Sequence, residues 1–209
     1  MGKIIQFPAK QPSKFGFERV KRRRKENPAQ LDLFRACVSQ VQRLPTNMSS
    51  FEEALLLDEL DDCRAEKLYW RAIAEGDLVA ESYCNLGIIE SKTGRVAKAF
   101  DCFTKALEHD PRHFEAHYNL GNLYFEADNL RMARMHYELA AEINPGFPNL
   151  FFNLGLVLAL FEEKEAALDA FVKYQLLAPQ EEHRNADDLI NGLRRCLATP
   201  DQNTLRINY

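Results

Sequence analysis

The sequence predicts an all-α fold: about four helix-turn-helix repeats stacked as a solenoid and closed by a C-terminal capping helix. Three observations point there. The triplet Asn-Leu-Gly recurs at 85–87, 119–121 and 153–155, a step of 34 residues. Pro111, Pro145 and Pro179 keep the same step, as do the small residues Ala99, Ala133 and Ala167. Between them the rings Phe103, Tyr137 and Phe171 hold one register. A fixed period of this size marks one supersecondary unit that cannot bury its apolar face alone and stacks on its neighbours.

The elements follow in order. Residues 1–27 form a basic tail, expected to be disordered. Residues 1–25 hold nine Lys/Arg and one acid, a net +8, which leaves −12 on the rest of a chain of net charge −4. Like charges in a block repel and resist packing. Residues 28–45 read either as an N-terminal capping helix or as a linear motif. Asn27 and Pro28 make a good helix start, and Leu31, Phe34, Val38 and Val41 give a helical stripe. Residues 46–79 form a degenerate first repeat: Ala65, Tyr69 and Ala72 keep register, but Glu52 and Glu53 stand where Leu-Gly is expected. Ser50 with Glu53 is the expected capping box of its first helix. Three full repeats follow at 80–113, 114–147 and 148–181. Residues 182–198 form the cap, with Leu189, Leu193, Cys196 and Leu197 on its apolar face, and 199–209 a loose tail.

Within each repeat, numbered so that the glycine is position 8, position 4 is Tyr83, His117 or Phe151, and position 27 is Ala106, Ala140 or Tyr174. On these residues the chain resembles the tetratricopeptide-repeat (TPR) family over residues 80–181. Tyr174 departs from the small residue expected there. In this packing the glycine and alanines let neighbouring backbones approach closely, large side chains fill the gaps, and proline ends the second helix of each pair.

No catalytic constellation is evident. The chain lacks a phosphate-cradling glycine loop, G-x-S-x-G and H-E-x-x-H. His113 and His117 share a helical face, with His109 nearby, but no third metal ligand accompanies them. No enzyme activity, cofactor or metal is therefore expected. The five scattered cysteines (Cys37, Cys63, Cys84, Cys102, Cys196) include no C-x-x-C pair and read as reduced thiols. No apolar run is long enough to span a bilayer and no secretory signal is visible, so a cytoplasmic protein is expected.

The resemblance implies a concave groove lined by positions 2, 5, 6, 9, 12 and 13 of each first helix. Position 6 is Asn85, Asn119 and Asn153. A side-chain amide donates and accepts at once, so a column of amides can hold a peptide backbone without reading its side chains. The pattern is similar to the asparagine ladder in the TPR region of O-linked N-acetylglucosamine transferases. The co-chaperone carboxylate clamp is missing its lysines and arginine: position 5 is Cys84, Tyr118 and Phe152, and position 2 is Glu81, Glu115 and Asn149. Glu81, Glu115 and Glu126 favour a basic or neutral ligand. Tyr118, Phe125 and Phe152 offer aromatic anchors and Asn122 a further amide. One candidate ligand is internal: the +8 tail folded back onto the acidic groove.

Two features outside the repeats suggest other partners. Lys21, Arg22, Arg23, Arg24 and Lys25 could contact nucleic-acid phosphates or another anion. Gln30, Leu31, Asp32, Leu33 and Phe34 spell QLDLF, which is similar to the motif by which proteins bind the bacterial sliding clamp; the resemblance implies Leu33 and Phe34 as anchors, with Gln30 and Leu31 beside them. The leading expectation is a non-enzymatic adaptor or scaffold for an extended peptide or protein segment. The alternatives are a replication or repair accessory protein acting through the tail and QLDLF, and a regulatory subunit of another enzyme.

Overall fold

The computed structural model describes residues 15–21 and 48–198. The segments carrying Arg22–Lys25 and Gln30–Phe34 lie outside the described residues. Among the described residues there are nine α-helices, one 3-10 turn and no strand. No described helix is long and apolar enough to cross a membrane. The helices are α1 (Ser50–Glu59), α2 (Arg64–Glu75), α3 (Val79–Lys92), α4 (Val96–His109), α5 (Phe114–Glu126), α6 (Leu130–Ile143), α7 (Pro148–Leu160), α8 (Lys164–Leu177) and α9 (Arg184–Ala198). The chain divides into two helical units. One contains residues 19–21 and α1 to α4; the other contains residues 15–18 and α5 to α9.

In the first unit, α1 packs on α2, α2 on α3, and α3 on α4. The start of α1 differs by one residue from the expected cap. Ser49 is the N-cap: its hydroxyl accepts from the Glu52 N–H, and the Glu52 carboxylate accepts from the Ser49 N–H. The same Ser-x-x-Glu spacing occurs at both registers, and the hydroxyl of Ser50 is committed elsewhere, donating to the Glu75 carboxylate at 2.5 Å. Gly76 ends α2 in the left-handed conformation at φ 73°, a shape that glycine adopts without steric cost.

In the second unit, α5 pairs with α6 and α7 with α8; α6 also packs on α7, and α9 on α8. His113 caps α5 by accepting the Ala116 N–H at Nδ1, and Asn129 caps α6 by accepting from Met132. The rings of Tyr118, Tyr137, Phe152, Phe171 and Tyr174 form a fully buried aromatic core. Each such ring contributes on the order of 2–3 kcal/mol on burial. The apolar face of α9 is Ala186, Leu189, Ile190 and Leu193; Leu197, expected on it, is instead 36% exposed. The buried set steps by 3, 1 and 3 residues, one helical face, and Leu197 lies in the last turn of the helix.

The repeated glycine has a specific packing role. A Cβ on Gly87 would lie 2.6 Å from Phe103 Cε1, and one on Gly121 would lie 2.5 Å from Tyr137 Cε1. The position-24 ring of the second helix therefore occupies the space of the missing side chain of the first. The glycine admits a ring here, where the sequence reading had it admitting a neighbouring backbone.

Candidate peptide-binding site

The position-6 asparagines sit mid-helix on α3, α5 and α7, and all are fully buried. A buried primary amide needs partners for two N–H groups and a carbonyl oxygen. In each case the chain's own residues 15–20 supply a donor to the oxygen and an acceptor for the amide nitrogen. These residues are neither helix nor strand and form no backbone–backbone hydrogen bond among the described ones.

In the α5–α9 unit, Asn153 Oδ1 accepts from the Phe15 N–H at 2.8 Å, and its Nδ2 lies 3.1 Å from the Phe15 carbonyl. Asn119 repeats the arrangement on Glu18, at 2.8 Å for each bond. Asn122, three residues on and therefore on the same helix face, donates to the Gly16 carbonyl at 2.9 Å. The segment thus runs from α7 toward α5 in this unit, against the order of the helices in the chain. The amides are themselves braced. Tyr137 Oη donates to Asn122 Oδ1 at 2.6 Å, and Asn153 Nδ2 lies 2.9 Å from that oxygen and 3.1 Å from Tyr118 Oη. Burial pushes the Tyr118 and Tyr137 phenols well up, so both keep their protons.

Phe15 has an aromatic seat. Its ring lies 5.1 Å from Phe152, edge to face, and 5.7 Å from Tyr174. Tyr174 is the residue that departs from the small side chain expected at position 27. Its hydroxyl donates to the Glu182 carbonyl at 3.1 Å, which holds the ring in place.

In the α1–α4 unit, Asn85 treats Val20 as the other asparagines treat theirs: Oδ1 accepts from the Val20 N–H at 2.9 Å, and Nδ2 donates to its carbonyl at 3.3 Å. Nδ2 also donates to Tyr69 Oη at 3.1 Å, which donates to Asp58 Oδ2 at 3.3 Å. Asp58 Oδ1 pairs with the Arg19 guanidinium at 3.0 Å, with the Asp58 side chain only 6% exposed. Burial raises the Asp58 carboxyl above its usual range, and Arg19 is the first of the neighbours that oppose the rise. Glu18 and Arg19 are consecutive, so one stretch of chain supplies the partners in both units.

The remaining candidates are distributed as follows. Tyr118 and Phe152 are fully buried, Phe152 beneath Phe15 and Tyr118 against Asn153. Phe125 is half-buried against the core of its unit. Glu81 and Glu115 are half-buried, Glu115 lying 3.6 Å from His113 Nδ1. Lys21 is exposed. His117 and His113 do not converge: His117 Nδ1 faces His136 Nδ1 at 3.1 Å, while His113 caps α5. Among the described residues no three His, Cys, Asp or Glu side chains are grouped to hold a metal. Asp58, Tyr69 and Tyr174 were missed as site residues. Asp58 stands at position 13 of the degenerate repeat, a groove-lining register, and that position was the available signal.

Comparison with known proteins agrees with this architecture. The tetratricopeptide-repeat family model matches residues 78–146. Anaphase-promoting complex subunit 3 of Schizosaccharomyces pombe is 30% identical over 108 residues, 52% of this chain and 16% of that protein. The chain thus spans about a sixth of that relative's length. Among solved structures, the first TPR of Spaghetti (RPAP3) bound to the HSP90 peptide SRMEEVD superposes with a TM-score of 0.53 at 21% identity, covering 57% of this chain and 94% of that one. The first TPR domain of human RPAP3 gives a TM-score of 0.50 at 21% identity, with 57% and 92% covered. With the 34-residue period and the paired helices, these matches show that residues 78–146 carry tetratricopeptide repeats.

Proposed function

We propose that this protein is a non-enzymatic adaptor that takes an extended peptide along its asparagine-bearing helix faces, and that residues 15–20 are a resident ligand which a partner displaces. The observation that carries this reading is the doubled hydrogen bond. Asn85, Asn119 and Asn153 each engage the N–H and the C=O of a single residue. That contact is indifferent to side-chain identity, so any peptide able to present the same backbone fits it. The resident has an advantage in effective concentration, because its binding is intramolecular. A partner therefore succeeds by better side-chain contacts or by weakening the resident.

The tail held by the asparagines differs from the one expected on charge. Backbone groups and Phe15 make most of the contacts, and of the basic residues only Arg19 takes part among those described. The structural neighbour's acidic peptide SRMEEVD is a poor guide to ligand charge here, since the clamp lysines are absent and Asp58 accepts a cation.

The test uses the full chain and a labelled peptide copying residues 14–21, KFGFERVK. Binding is expected to be weak to the unaltered chain and at least about tenfold tighter to the Phe15→Ala chain, whose resident has lost its ring anchor. A chain that takes up the peptide in neither form overturns the reading.

A further inference from the structure

The contacts of Arg19 go beyond what an asparagine column needs. Asn85 already satisfies the backbone of Val20. Beside it a carboxylate, Asp58, is buried to 5% exposure in the α1–α4 unit. A buried carboxylate is costly unless paired, and leaving one uncompensated costs far more than an exposed charge would. Asp58 has two partners: the Tyr69 hydroxyl on Oδ2 and the Arg19 guanidinium on Oδ1. The other cation acting on it is Lys92, whose ammonium lies 3.8 Å from Asp61 and is half exposed; Asp61 is the other acid in the field. The cation that neutralises Asp58 at hydrogen-bond distance therefore comes from the segment and not from the helices. The carboxylate is wired to the backbone reader through Asp58–Tyr69–Asn85. Val20, next to the arginine, is buried at 8% exposure.

We infer that Asp58, Tyr69 and Asn85 form an arginine-reading subsite, and that the partner segment replacing the resident presents an arginine followed by a branched aliphatic residue. This deepens the peptide-binding reading above and rests on it. The weakly hydrated guanidinium suits a buried pair better than a lysine ammonium. An acidic residue at the same place would put two carboxylates together out of water. The subsite supplies side-chain selectivity that the asparagines lack, and it selects a cation.

The experiment uses the full chain carrying Arg19→Ala, which weakens the resident only at this subsite. It is titrated with KFGFERVK and with versions of the peptide carrying Arg19→Ala, Arg19→Lys and Arg19→Glu. The arginine peptide is expected to bind at least about tenfold more tightly than the alanine peptide, with lysine between them and glutamate weakest. In the Arg19→Ala chain that also carries Asp58→Asn, the arginine and alanine peptides should agree to within about twofold, while Asp58→Glu should restore part of the preference. Circular dichroism confirms that each variant is folded. If Asp58→Asn does not fold, the ranking of the four peptides on the Arg19→Ala chain decides alone. Equal binding of the arginine and alanine peptides overturns the arginine subsite and leaves the groove reading standing. Binding of none of them overturns both.

Discussion

Asn119 holds Glu18 by both backbone groups, its Oδ1 accepting the N–H and its Nδ2 donating to the carbonyl, each at 2.8 Å. Asn119→Ala removes two hydrogen bonds of about 1 kcal/mol each, so local release of the segment should become roughly thirtyfold easier. Amide hydrogen exchange at Glu18 measures this directly. Helix stability should change much less, because the released backbone finds water. Exchange at Glu18 that is as fast in the unaltered chain as in the variant would sink the assignment.

The amide contacts are between neutral groups, and this sets their response to salt. Screening acts on exposed charges, and the Arg19–Asp58 pair is largely buried. Protection of the Phe15 and Glu18 amides should change by less than about threefold between about 0.05 and 0.5 M NaCl. A loss of tenfold or more, roughly what counterion-driven tail binding would give, would return the segment to a charge-held tail.

Gly121→Ala should be destabilising although alanine is the better helix former. Propensity favours the change by about 1 kcal/mol. Against it, the new Cβ would lie 2.5 Å from a fully buried Tyr137 ring, an overpacking cost of about 1–3 kcal/mol or more. Moving that ring also disturbs its 2.6 Å bond to Asn122, and through Asn122 the Gly16 carbonyl. Gly192→Ala on α9 meets nothing within 4 Å and should raise the melting temperature by the propensity term alone. Paired melts of the two variants check the sign of each.

Tyr174→Ala restores the small residue usual at its position and should nonetheless harm this protein. The ring packs on Phe152 at 5.2 Å and seats Phe15, and its truncation should cost about 3–5 kcal/mol. Tyr174→Phe keeps the ring and loses the hydroxyl with its bond to the Glu182 carbonyl, about 1 kcal/mol. Exchange at the Phe15 amide should therefore accelerate in the alanine variant and stay close to the original in the phenylalanine one.

Acidification should destabilise the α5–α9 unit through His136. Burial first, and His117 second, depress its imidazole from 6.5 to about 4. The unfolded chain takes up a proton that the folded chain refuses, so stability falls as pH drops from about 6.5 to about 4. The full loss is on the order of 3 kcal/mol at the bottom of that window. Melts between about pH 7 and 4.5 should show the fall, and His136→Gln should flatten part of it. Identical pH slopes in the two proteins would rule the group out.

Much of the fold was legible because its determinants are periodic. Gly87, Gly121 and Gly155 repeat with the rings that cover them, and a 34-residue step is visible without any structure. The recurrence of Asn85, Asn119 and Asn153 was visible in the same way. The errors fall where periodicity ends. Two Ser-x-x-Glu pairs overlap before α1, and only the placement of Glu75 takes Ser50 out of the contest. Leu197 fits a helical stripe, but whether a neighbour covers it is a tertiary quantity. Asp58 was passed over because its repeat lacks the Leu-Gly pair that flags a groove helix.

By itself the sequence determined paired helices and an asparagine recurring every 34 residues, expected on a groove wall. It could not name the asparagines' partners. An amide is complementary to any peptide backbone, so a column of asparagines specifies a kind of ligand and no particular one. Residues 15–20 carry no periodic signal, since a segment held by its backbone needs no pattern in its side chains. Only the tertiary structure decided that Phe15, Glu18 and Val20 meet Asn153, Asn119 and Asn85, and that Arg19 meets Asp58. The physical reason is sequence distance: these partners are separated by up to 138 residues, and only folding brings them together.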